Sequence, residues 1–152
     1  VNKLETALAA IDAANRHDPD LREGEPAAWL YGRRMSAECT RLFPEASEPL
    51  QIAARGQHIE RWVLKRQDFP EGRAGYLTGR TTLAQHHAAR VGEILRPLTR
   101  PGKAGSDRYE DRAENVGGGA RASVGGVRSA REFGRSFPGL NLTELTKLEA
   151  IL

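Results

Sequence analysis

From residue 2 to residue 98 apolar side chains recur at helical spacing, and between residues 98 and 140 there is no Leu, Ile or Met at all. This division constrains the fold more than any single motif. A chain of 152 residues has room for one domain with a modest core, and the side chains able to build it lie almost wholly before residue 98. The second stretch carries Gly117-Gly118-Gly119, Gly125-Gly126 and scattered arginines and serines. It cannot bury enough apolar surface to offset the entropy of ordering it, so disorder is expected there. Leu142, Leu145, Leu148, Ile151 and Leu152 then restore a helical pattern. The expected organisation is a helical domain over 1–98, a Gly/Arg/Ser-rich irregular segment over 99–139 and a short helix over 140–152.

Within the helical domain the stops and starts are explicit. Leu4, Ala7, Leu8 and Ile11 define a first helix over residues 2–15, closed by Asp18-Pro19-Asp20. After a polar loop, Glu25-Pro26 suits a second helix start, since proline is tolerated in the first turn. That helix runs to about residue 43 with Tyr31, Met35 and Leu42 on one side, and Pro44 stops it. Ser47 is placed to cap a third helix carrying Leu50, Ala54, His58 and Trp62 to about Val63. Residues 65–73 hold a proline and a glycine and read as a loop. A fourth helix is expected over 75–96, with Leu83, His87, Val91 and Ile94 as its stripe and Pro97 at its end. No internal repeat and no strand pattern of any length is present. The fold class is therefore all-α, a bundle of four main helices.

Charge and cysteine usage narrow the function classes. A net charge of +3 is a small surplus for 23 basic residues against 20 acidic ones, and it does not by itself make a nucleic-acid patch. A basic Gly-Arg tail binding RNA is one reading of the glycine-rich segment, but Asp107, Glu110, Asp111, Glu114 and Glu132 dilute its charge. A solvated linker is the plainer one. No Gly-Lys-Ser/Thr signature follows the glycines and no strand precedes them, which argues against a phosphate-cradling loop. Cys39 is the only cysteine, so disulfides within the chain and thiolate zinc sites are excluded. No apolar run is long enough to span a membrane and no signal-peptide pattern opens the sequence, so a cytoplasmic location is expected.

The residues able to carry chemistry gather around two histidines. His58 lies four residues after Ala54 and eight after Leu50, on the face those residues bury. His87 lies four after Leu83 and four before Val91, so its face is also apolar. A buried imidazole needs a hydrogen-bond partner or a metal. Two readings stand: core histidines bonded to backbone or to each other, or a shared site. His86 is expected to point about a third of a turn away, toward an edge or solvent. A divalent-metal site wants carboxylates or further histidines beside the pair, and Glu60 and Glu93 are expected on other faces of their helices. Arg55, Arg61, Arg73, Arg80 and Arg90 surround the histidines in sequence. Guanidinium forks match phosphate or carboxylate, so an anion site is one reading of them and solvated helix faces the other.

Leu30-Tyr31-Gly32-Arg33-Arg34-Met35, then Ala54-Arg55-Gly56-Gln57-His58-Ile59-Glu60-Arg61-Trp62, then Arg73-Ala74-Gly75-Tyr76-Leu77 follow in order. Together with the spacing to His87 and Gly92-Glu93-Ile94-Leu95, they resemble the family known as domain of unknown function 4202, over about residues 4–96. More distantly, the arrangement is similar to the HD superfamily of metal-dependent phosphohydrolases. That similarity implies an HD-like bundle in which His58 and His87 bind a divalent metal (Mn, Fe, Zn, Ni or Co) or transfer a proton. Arg61 and Arg73 would then hold the anion. Tyr31 stands where many such proteins have their first histidine, and Ile59 replaces the aspartate. Relatives continue beyond residue 98 with further apolar helices, so an out-of-frame reading of a GC-rich gene over 99–139 would account for the missing leucines. Translating the other frames tests it. Val1 is compatible with a GUG start codon and with a fragment.

The resulting expectation is a His/Arg pocket acting on a phosphorylated small molecule or nucleotide in the manner of an HD-like phosphohydrolase. The competing expectation is a non-catalytic helical module that binds a protein or RNA partner.

Overall fold

The computed structural model describes residues 2–98 together with Thr143 and Lys147. The irregular segment expected over 99–139, and all but those two residues of the helix expected over 140–152, lie outside the described residues. The elements in order are α1 (Lys3–Asn15), β1 (Leu21–Arg22), β2 (Glu25–Pro26), α2 (Ala27–Leu42), α3 (Glu48–Gly56) and α4 (Gly72–Leu95). Short 3-10 turns occupy Arg61–Val63, Arg66–Asp68 and Arg96–Leu98. The architecture is all-α.

Three of the four helices begin where the sequence supplies an acceptor for their first amides. Asn2 and Glu5 form a reciprocal capping box at α1. Ser47 Oγ accepts from the Leu50 amide at the start of α3, 3.3 Å away. The start of α2 is held from a distance: Asp18 Oδ2 accepts from the Ala28 amide at 2.8 Å, and the Asp20 carbonyl accepts from Ala27 at 2.9 Å. The loop between α1 and α2 closes as a two-residue hairpin, Leu21 opposite Pro26 and Arg22 opposite Glu25. Glu23 and Gly24 at its tip take φ of 55° and 80°, the paired left-handed conformation that suits a tight hairpin. Strands of two residues are too short to show alternation, which is why no strand pattern was legible.

The core is built from small residues that let the helices approach closely. Ala7 and Ile11 of α1, Cys39 of α2, Leu50, Ala53 and Ala54 of α3, and Ala84, Ala88, Val91 and Leu95 of α4 are buried together. α1 lies against α2, α3 and α4, and α2 packs on α3. On α2 the expected side packs inward through Met35 and Cys39, whereas Leu42 in the last turn is 37% exposed. A Cβ at Gly32 would lie 2.9 Å from the Arg55 carbonyl, so this glycine sets the α2–α3 distance. Arg55 itself ties three helices together. Its Nε donates to Ser36 Oγ of α2 at 2.7 Å, and its Nη1 donates to both carboxylate oxygens of Asp12 of α1 at 2.7 Å.

The third helix is shorter than its apolar periodicity implies. It ends at Gly56, not near Val63, and His58 lies in the turn that follows. A Cβ at position 56 would stand 2.6 Å from Val91 Cγ2 of α4, and the Glu60 amide, which a continued helix would give to the Gly56 carbonyl, donates to Asn15 Oδ1 instead. The chain turns there and Glu60 takes the left-handed conformation, φ 51°. The fourth helix starts three residues earlier than expected, at Gly72.

Candidate functional site

The turn after α3 brings the two histidines together. The Ile59 amide donates to the Gly56 carbonyl at 3.0 Å, and Asn15 Oδ1 of α1 accepts from the Glu60 amide at 2.9 Å. These bonds bury the Ile59 side chain completely and present its carbonyl to α4. His87 Nδ1 lies 2.6 Å from that carbonyl oxygen. A carbonyl only accepts, so Nδ1 carries the hydrogen and the neutral ring keeps its lone pair at Nε2. That Nε2 is buried and has no hydrogen-bond partner among the described residues.

His58 stands between two other rings. Tyr31 of α2 stacks on it with centroids 4.3 Å apart and planes 12° from parallel. His87 lies on its other neighbouring side, 5.7 Å between centroids and tilted by 35°. Burial, and after it the guanidiniums of Arg61 and Arg80, push His58 down to about 4. Burial, then His58, pushes His87 down to about 3, with the Ile59 carbonyl acting in the opposite direction. Burial also raises the Tyr31 phenol, against a smaller opposing pull from Arg61. Near pH 7 both imidazoles are therefore neutral acceptors in a positive field.

A second polar group borders the first. Both oxygens of the Glu60 carboxylate accept from Arg90 Nε, at 3.0 and 2.9 Å, and Arg90 Nη1 donates to Glu93 at 2.9 Å. His86 Nε2 lies 4.0 Å from Glu60 Oε2, beyond hydrogen-bond reach. That nitrogen is buried while the side chain keeps 26% of its surface exposed, which puts His86 at an edge, one of the two directions expected for it. Glu60 sits in the turn beside the histidines, not on another face of a helix, because α3 has already ended. Among the described residues no group of three or more His, Cys, Asp or Glu is arranged to hold a metal ion.

Of the residues singled out in the sequence, His58, His87 and Arg61 are brought together. Arg73 is not. It sits in the exposed first turn of α4, fourteen positions before His87, roughly 21 Å along the helix axis at ~1.5 Å per residue. Arg80 takes the place expected for Arg73, seven positions before His87 and so two turns away on the same face. Its Nη1 also donates to the Tyr76 hydroxyl at 2.6 Å. The spacing of Arg80 to His87 was a signal available in the sequence; the Ile59 carbonyl and the burial of His86 Nε2 were not.

The fold and this cluster define an all-α protein with a neutral imidazole pair bordered by guanidinium groups. Its family follows from its sequence: the family model described as a domain of unknown function (DUF4202) matches residues 5–114, and the chain belongs to that family. The matched region runs past residue 98 into the glycine-containing segment. No curated protein and no solved structure shows a match to the chain. Among the described residues no helix is long and apolar enough to cross a membrane.

Proposed function

We propose that the cluster binds the phosphoryl group of a phosphorylated small molecule or nucleotide, with Arg61 and Arg80 donating to the anion and His58 and His87 beside it as neutral imidazoles. The observation that carries this reading is the buried imidazole pair, His58 and His87 with ring centroids 5.7 Å apart and His87 Nε2 buried without a hydrogen-bond partner among the described residues, in the positive field of Arg61 and Arg80. A guanidinium fork matches phosphoryl oxygens. Held at about 4 and about 3, the two rings are weak bases near neutral pH, which favours binding over proton transfer.

The HD-type similarity implies a divalent metal (Mn, Fe, Zn, Ni or Co) held by His58 and His87. The donor set fits that poorly. The position of the aspartate is Ile59, whose side chain is fully buried, and both oxygens of Glu60 accept from Arg90. Of the implied ligands the His58 and His87 nitrogens remain, and no group of three or more His, Cys, Asp or Glu among the described residues is arranged to take an ion with them. These residues fit an anion rather than an HD-type metal centre.

Calorimetric titration with inorganic phosphate and a nucleoside monophosphate tests the anion reading on the parent and on Arg61→Gln and Arg80→Gln. Binding in the parent, weakened at least about tenfold by either change, is expected. Elemental mass spectrometry on protein purified without chelators or a histidine tag runs beside it. Near-stoichiometric metal, lost in a folded His58→Ala/His87→Ala variant, would replace this reading with the phosphohydrolase one.

A separate surface favours the second reading, a non-catalytic module for an RNA or protein partner. Trp29 is flanked by Arg16 and Arg33, whose guanidinium carbons lie 4.3 and 5.5 Å from its ring centroid, the pairing that also stacks on bases. Steep salt dependence of RNA binding, lost in Arg16→Gln/Arg33→Gln, is its signature.

A further inference from the structure

We propose that His87 Nε2 selects the ligand of this cluster: it accepts a hydrogen bond from a protonated phosphoryl oxygen, so the cluster takes hydrogen phosphate or a singly charged phosphate monoester and rejects sulfate. The proposal rests on the anion reading above and goes beyond it by naming which oxyanion is taken. It starts from the backbone. The Ile59 carbonyl, 2.6 Å from Nδ1, fixes the tautomer of His87 with its lone pair at Nε2. His87 is 2% exposed, and Nε2 is buried without a hydrogen-bond partner among the described residues. An acceptor stripped of water and left unmade is costly, so this atom calls for a donor.

The charged and titratable groups around it offer no donor bond to it. His58 and Arg61 act on His87 from the segment after α3, and His86 acts on it from its own helix. Tyr31 of α2 stacks on His58, Arg80 acts on His58, and Glu60 lies beside His86. Arginine is a donor only. On the anion reading, a ligand in this cluster answers the positive field of Arg61 and Arg80 and meets one accepting lone pair at His87 Nε2. A fully deprotonated oxyanion matches the guanidiniums but sets lone pair against lone pair at Nε2. A monoprotonated phosphoryl group presents oxygens to the arginines and an O–H to the imidazole. Sulfate has no proton to offer near neutral pH. A site built to bond a hydroxyl discriminates strongly against the analogue that lacks it. Burial holds His87 at about 3, so in mildly acidic buffer the ring still accepts.

The test titrates inorganic phosphate and sulfate separately into the full chain near pH 6, with folding followed by circular dichroism. Phosphate binding at least about tenfold tighter than sulfate is expected. The preference should vanish in His87→Asn, whose amide can still donate to the Ile59 carbonyl but has no lone pair at the Nε2 position. Equal affinities in the parent overturn the selectivity and leave the anion reading standing. Binding of neither anion overturns both. Should His87→Asn not fold, the ring nitrogen shifts of the folded parent decide: the Nδ1–H tautomer at His87 is expected, and the Nε2–H tautomer overturns the proposal.

Discussion

Arg55 shows how much of this small bundle depends on single polar side chains. It is 9% exposed and pairs with Asp12 and Ser36, so removing its counter-charge leaves a guanidinium inside the protein. Asp12→Ala is expected to cost about 3 kcal/mol in urea unfolding, in the range for breaking a buried pair. A loss below about 1 kcal/mol would place the pair with solvent-screened surface bridges. Gly32 faces the same contact from α2. A methyl there meets a backbone oxygen at 2.9 Å, which cannot swing aside as a side chain would, and Gly32→Ala is expected to cost about 1–3 kcal/mol. Neither effect is visible from the local helix pattern, where alanine would be the better helix former.

Among the elements, α3 separates the periodic reading from the folded one. Were it continuous to Val63, Gly56→Ala would stabilise it by about 1 kcal/mol through helix propensity. Because Gly56 sits 2.6 Å, at its would-be Cβ, from Val91 Cγ2, the opposite sign is expected, a loss of about 1–3 kcal/mol. Thermal melts of that single variant read whether packing against α4 or helix propensity decides at this position. The start of α2 gives a second check. Pro26 supplies no side-chain cap, and Asp18 bonds the Ala28 amide from ten residues away. Asp18→Ala should therefore lower stability by about 1–2 kcal/mol, as loss of an N-cap does, and Asp18→Asn should restore part of it.

For the whole molecule, the imidazole pair makes stability depend on pH. His58 and His87 are held at about 4 and about 3, below the 6.5 of a free histidine. On unfolding each ring returns to its ordinary range, so below about pH 6.5 the unfolded chain binds protons that the folded chain refuses. The stabilisation is fully present above that pH and is lost as pH falls toward 4, at up to about 1.4 kcal/mol per pH unit for each ring. Urea unfolding at about pH 7.5, 6.5 and 5.5 should give a falling series in the parent and a shallower one in His87→Gln. A flat parent series would mean that water reaches both rings.

Much of this was legible in the sequence. The all-α class, the cap at Ser47, and the burial of His87 follow from short-range rules: apolar spacing places a face, and a side-chain oxygen before a helix satisfies its first amides. Those quantities depend on neighbours within one or two turns, so the chain carries them locally. The meeting of His58 with Tyr31 and His87, the loss of Arg73 from the cluster in favour of Arg80, and the lone pair left at His87 Nε2 were decided by tertiary structure. His58 and the Ile59 carbonyl take their places where α3 stops, and there the Glu60 amide bonds Asn15 of α1 in place of the Gly56 carbonyl. A hydrogen bond between residues 45 positions apart leaves no periodic trace in either segment, and with it the chain leaves the helical stripe for the turn that holds His58.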